Sequence, residues 1–172
     1  MTLPYNNYKN QSIQLANLKL AKLPQKIFVD SVELVIKSEF HITLVAAYRL
    51  AEIIDSKNKA KIRDEITKEF YKFVKQNPLT KYKLSDELRL VKNQDQMTVV
   101  VMAKIESLNN FFHKLNDKFR VALPVQPTHM TLYTLPTDKI GIPINSYEEL
   151  RQISKIINLP ELKSLQRVYN KY

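Results

Sequence analysis

A chain of 172 residues with a single glycine, Gly141, is barred from several familiar designs. The dinucleotide fingerprint needs three glycines, and the phosphate-binding P-loop and the nucleophile elbow each need two. No cysteine is present, so disulfides, thiolate catalysis and cysteine-based zinc sites are excluded as well. The chemistry must come from other residue types, and histidine is scarce enough to be informative. Two of the three histidines, His41 and His129, open the same tetrad: His-apolar-Thr-Leu, at His41–Leu44 and again at His129–Leu132.

Both tetrads lie in short runs of β-branched and aromatic residues, Phe40–Ala46 and Pro127–Leu135, which favours strand over helix. On a strand, residues i and i+2 share a face. His41 and Thr43 therefore look one way while Ile42 and Leu44 point into a core. His129 and Thr131 pair in the same manner, with Tyr133 one step further along that face and Met130 and Leu132 behind. Imidazole exchanges protons near neutral pH, and a hydroxyl can donate to a charged oxygen. Two such pairs around one pocket suit in-line displacement at phosphorus, one histidine acting as base and the other as acid. A lone His-x-Thr on a strand is common and usually carries no function; the duplication makes the pattern specific.

The paired tetrads, 129 − 41 = 88 residues apart, resemble the signature of the two-histidine (2H) phosphoesterases, which include the LigT-like RNA cyclic phosphodiesterases. The resemblance is concentrated in Glu39–Val45 and Pro127–Leu135. It implies an α+β, bilobal fold over residues 1–172, with two antiparallel sheets around a central cleft, pseudo-two-fold symmetry and helices outside. It also implies metal-independent cleavage of ribose phosphodiesters, either 2′,3′-cyclic phosphates or 2′–5′ linkages. His41 and His129 would be catalytic, Thr43 and Thr131 would bind the phosphate oxygens, and Tyr133 is a candidate substrate contact. No cofactor and no metal are expected. A non-catalytic nucleotide- or RNA-binding module of the same fold is the alternative. A two-histidine metal site lacks any supporting spacing.

The net charge of +10 fits an RNA or nucleotide partner, although a lysine-rich composition alone would also produce it. Eleven Lys and Arg face five Asp and Glu between Lys57 and Lys92, so the charge is concentrated there. Neither a basic-then-apolar leader nor a run of membrane length is present, so the expectation is a cytoplasmic monomer with no membrane contact.

Along the chain, the first 24 residues read as a helix or an edge strand. Strands follow at Ile27–Val29, Val32–Lys37 and Phe40–Ala46, the last two as candidates for pairing. Helices are expected over 48–54 and then, capped by Ser56 or Asn58, through about Gln76, followed by a hairpin over 81–105 turning at Asn93–Gln96. The spacing of Leu108, Phe111, Phe112, Leu115 and Phe119 predicts a helix with His113 on its polar side. Ser146 to Glu149 reads as a capping box opening a helix with Leu150, Ile153 and Ile157 inward. Thr137, Lys139 or backbone amides of the Pro136–Pro143 loop are candidates to reach a phosphate. Leu162, Leu165 and Tyr169 have the spacing of a last helix.

Overall fold

Short runs rich in β-branched and aromatic residues form the strands of this protein, and apolar residues at helical spacing form its longer helices. The computed structural model describes residues 5–9, 11–20, 23–79, 81–135 and 141–162. In chain order these hold β1 (Tyr5–Tyr8), β2 (Ser12–Leu15), β3 (Lys26–Val29), β4 (Val32–Ile36), β5 (Ile42–Val45), α1 (Ala47–Ile54) and α2 (Lys59–Gln76). There follow β6 (Tyr82–Asn93), β7 (Gln96–Ile105), α3 (Leu108–Phe119), β8 (His129–Leu135), α4 (Tyr147–Ile153) and β9 (Ser154–Ile157). The class is α+β, and every strand pairing is antiparallel.

β8 is the hub. It pairs with β7 along one edge, and on the other edge with β5 near its start and β4 near its end. The main path runs β1-β2-β5-β8-β7-β6-β9, with β3 attached through β4. Two separate sheets were expected; hydrogen bonding instead runs through the β5–β8 junction and makes one nine-stranded sheet. That junction is narrow, with Ile42 and Met130 as its registered pair. The anticipated pairing of β4 with β5 is also corrected. The Lys37 amide still donates to the Leu132 carbonyl at 2.8 Å, so the chain follows β8 before β5 takes its own place on the same edge.

α1, α2 and α3 share a large core with one face of the sheet. Phe70 and Phe73 of α2 meet Phe111 of α3 with ring centroids 5.3 and 5.5 Å apart, the first pair edge to face. Ile42, Leu44, Met130 and Leu132 are 0% exposed beneath these helices. Burying each such side chain stabilises the fold by about 1.5–3 kcal/mol. The other face carries a smaller cluster in which Ile142, Ile144 and Leu150 cover Val91, Val100 and Met102. This second layer covers only part of the sheet, leaving the face around β5 and β8 open.

α4 departs from the sequence reading. Ser146 caps it, its hydroxyl accepting from the Glu149 amide at 3.0 Å, yet the helix stops at Ile153 rather than running on to Ile157. The Ser154 hydroxyl donates to the Leu150 carbonyl and accepts from Arg89 Nε at 2.8 Å, tying the chain to β6. Ile156 and Ile157, stiff β-branched residues, then extend as an edge strand on β6. Leu162 lies in a short turn, while Leu165, Tyr169, Thr137 and Lys139 fall outside the described residues. Among the described residues no helix is long and apolar enough to cross a membrane.

Candidate functional site

The register of β5 against β8 arranges the two tetrads. Ile42 sits opposite Met130, both at 0% exposure and pointing into the core. Carrying the antiparallel register one residue each way sets His41 beside Thr131 and Thr43 beside His129, all facing away from that core. Each imidazole thus neighbours the hydroxyl of the other tetrad. His41, Thr43, His129 and Thr131 are all half-buried, and all line one cleft of about 230 Å³. The sequence named these four, and the fold brings them together.

The cleft floor widens through β2, where Gln14 pairs with Thr43 and its Nε2 donates to the Ser12 hydroxyl at 2.9 Å. Tyr8, Tyr48, Ile142, Pro143, Ile144 and Asn145 also line the cleft. The segment leading into His129 is pinned from both sides. The buried Gln126 accepts from the Ala46 amide through Oε1 at 2.9 Å, which ties it to the end of β5. Thr128 donates to the Ala103 carbonyl at 2.6 Å and accepts from the Ala103 amide at 2.9 Å, which ties it to β7.

Gly141 belongs to this cleft. A Cβ at that position would lie 2.5 Å from Thr131 Oγ1, so the glycine leaves the hydroxyl its space. Sequence reasoning noted Gly141 as rare but left it in a connecting loop. Gln126, Gln14, Tyr48 and Asn145 carry no motif and were missed; their long-range positions had no sequence signal.

The two imidazoles differ in their support. His129 Nδ1 lies 3.2 Å from the Pro127 carbonyl, which can only accept, so Nδ1 carries the proton and Nε2 is the nitrogen left for the cleft. Burial holds His129 below its ordinary value of 6.5, the Pro127 carbonyl opposes that shift, and charge on His41 reinforces it. His129 keeps part of its surface in solvent even though its ring is deeply set. His41 is also held down, first by burial and then by Lys37, with Glu39 pulling the other way. Charge on His41 disfavours charge on His129, so protonation of the pair is coupled. Two imidazoles and two hydroxyls lining one cleft can hold an anionic oxygen and move a proton on either side of it.

Tyr133 is the correction within the site. β8 is bulged: Val99 faces Tyr133 while Val100 faces Thr131, so Leu132 has no partner of its own on β7. The extra residue breaks the alternation, and Tyr133 joins Leu132 in the core at 0% exposure instead of following Thr131 into the cleft. Its hydroxyl donates to the Pro24 carbonyl at 2.9 Å, and burial, with Glu161 adding to it, pushes its pKa up to about 12. His113 is exposed on α3, as its place in the helix predicts.

Among the described residues no three His, Cys, Asp or Glu side chains group where a metal ion could be held. Comparison with protein-family models, with curated proteins and with solved structures finds no match to this chain.

Proposed function

We propose that this protein is a phosphodiesterase of the two-histidine type, acting on ribose phosphodiesters without a metal ion. The observation that carries the reading is the β5–β8 register, which sets each histidine beside the other tetrad's threonine in one cleft. An antiparallel pair has a local two-fold axis, here through Ile42 and Met130. That axis fits the symmetric lobes expected of such a fold, and the basic charge of +10 fits a nucleotide or RNA substrate. A cytoplasmic monomer is part of the same proposal.

The chemistry is acid–base catalysis around a fixed phosphate. One neutral imidazole accepts a proton from water as the water oxygen bonds to phosphorus. The other, protonated, gives its proton to the ribose oxygen as the P–O bond to that oxygen breaks. Thr43 and Thr131 donate to the nonbridging oxygens, where charge grows as phosphorus becomes five-coordinate. The Pro127 carbonyl fixes the His129 tautomer, so its Nε2 is the proton-transferring atom.

The test is hydrolysis of a 2′,3′-cyclic nucleotide in EDTA by wild type, His41→Ala and His129→Ala. Each variant is expected to lose at least about a hundredfold in kcat/KM, the lower range for a positioned acid or base. Turnover that EDTA abolishes, or that both variants retain, overturns the mechanism. Nucleotide binding without turnover by the wild type would instead mark a non-catalytic binding module.

A further inference from the structure

Apart from its imidazoles, the lining of the cleft is neutral. Among the described residues around it none is lysine, arginine, aspartate or glutamate. An anion there has to be held by neutral donors and an imidazolium, and each threonine hydroxyl brings a single hydrogen. Side-chain amides bring two, and four of them lie on the same walls: Gln11, Gln14, Gln126 and Asn145.

Three of these amides are spoken for or loosely held. Gln14 Nε2 donates to the Ser12 hydroxyl at 2.9 Å, and Asn145 Nδ2 donates to Glu149 Oε2 at 2.8 Å. Gln11 is exposed. Gln126 differs from all three. It is only 7% exposed, and its Oε1 accepts from the Ala46 amide at 2.9 Å across 80 residues of chain. A peptide N–H can only donate, so the oxygen faces Ala46 and the amide nitrogen is turned away from it. Among the described residues neither Nε2 hydrogen has a partner, and Nε2 is not sealed from solvent. A side chain that merely filled this space would do so better as leucine, because a buried amine without a partner is costly.

The donor is also fixed in place. Two residues further along, Thr128 is held to Ala103 by both its hydroxyl and its carbonyl, so the backbone carrying Gln126 is anchored next to His129. A donor held in position before charge develops is the arrangement that stabilises an oxyanion most.

We infer that Gln126 is a third donor to the substrate phosphate, its Nε2 hydrogen-bonding a nonbridging oxygen alongside the hydroxyls of Thr43 and Thr131. This inference rests on the phosphodiesterase reading and deepens it. The amide neither gives nor takes a proton. It stays neutral and stabilises the growing charge by hydrogen bonding alone.

The experiment measures kcat/KM in EDTA for 2′,3′-cyclic AMP and for its two phosphorothioate diastereomers, in wild type and in Gln126→Leu. Sulfur accepts hydrogen bonds weakly, so replacing the oxygen that Gln126 holds slows the wild type. Gln126→Leu has no donor to lose there. For at least one diastereomer the oxygen-to-sulfur ratio should shrink about tenfold, as expected for one hydrogen bond to a charged group. A residue that only braces the fold slows all three substrates alike, so ratios that shrink for neither diastereomer overturn the inference. Should Gln126→Leu fail to fold, Gln126→Glu takes its place, since it keeps an acceptor for the Ala46 amide.

Absence of turnover by the wild type on every substrate would strike the phosphodiesterase reading instead. The donor is then judged by equilibrium titration of both proteins with adenosine 2′-phosphate and with adenosine. A loss of about tenfold confined to the phosphate-bearing ligand supports it. Equal losses for both ligands, no loss, or no phosphate binding by the wild type removes it.

Discussion

Gly141 is retained for space, not for backbone freedom. Seven described residues have a positive φ, and each is a residue other than glycine: Lys9, Asn17, Asp30, Ser31, Gln94, Ser107 and Arg120. A left-handed conformation costs a residue with a Cβ roughly 1–2 kcal/mol, so these are the positions where glycine would ordinarily be favoured. The chain carries that strain at all seven and keeps its one glycine at a position without positive φ, against Thr131 Oγ1. Gly141→Ala should therefore push the Thr131 hydroxyl off its position. We expect kcat/KM to fall about ten- to a hundredfold, approaching the loss of an oxyanion donor. The melting temperature should change little, since the loop borders an open cleft. Turnover assays on folded Gly141→Ala check this, and full activity would remove Thr131 from phosphate binding.

At the scale of elements, legibility followed the range of the signal. β6, β7, α2 and α3 were readable because each is ten or more residues long, with a continuous apolar run in β7 and helical spacing in α2 and α3. The tetrad strands were readable because their composition is β-branched and their histidines repeat. What sequence did not carry was the joining of these pieces: β4 and β5 share an edge of β8, and the hydrogen bonds that unite the sheet are set by long-range register. The β9 strand was hidden because Ile153 and Ile157 fit a helical period as well as a strand. The bulge in β8 hid the fate of Tyr133, since period two predicts its face only while the ladder stays regular. Tyr133→Phe tests that account directly. Losing the 2.9 Å bond to the Pro24 carbonyl should cost about 1 kcal/mol in denaturant unfolding and leave kcat/KM within about twofold. A drop in turnover with unchanged stability would return Tyr133 to the substrate.

For the whole molecule, the buried titratable groups set the pH range over which the fold is stable. His41 and His129 both lie below their ordinary 6.5, so between the two values the unfolded chain binds more protons than the folded one. Their contribution is complete above 6.5 and is lost as pH falls toward their lowered values. Tyr133 has the opposite sign: held up at about 12, it contributes fully below its ordinary 10.0 and loses that contribution as pH rises through 12. Asp30, Glu52, Asp55 and Glu69 are held low, chiefly by side-chain hydrogen bonds from lysine or asparagine, and weaken the fold only in stronger acid. The melting temperature should thus be flat from 6.5 to 10.0, decline first below 6.5, and decline again in strong acid. In the double variant His41→Ala, His129→Ala the first decline should vanish while the second remains. Activity shares the acidic limit: kcat/KM needs one neutral and one protonated imidazole, so its bell should centre below 6.5 in the free enzyme. A bell centred above neutrality, beside an unchanged melting curve, would mean that other groups move the protons.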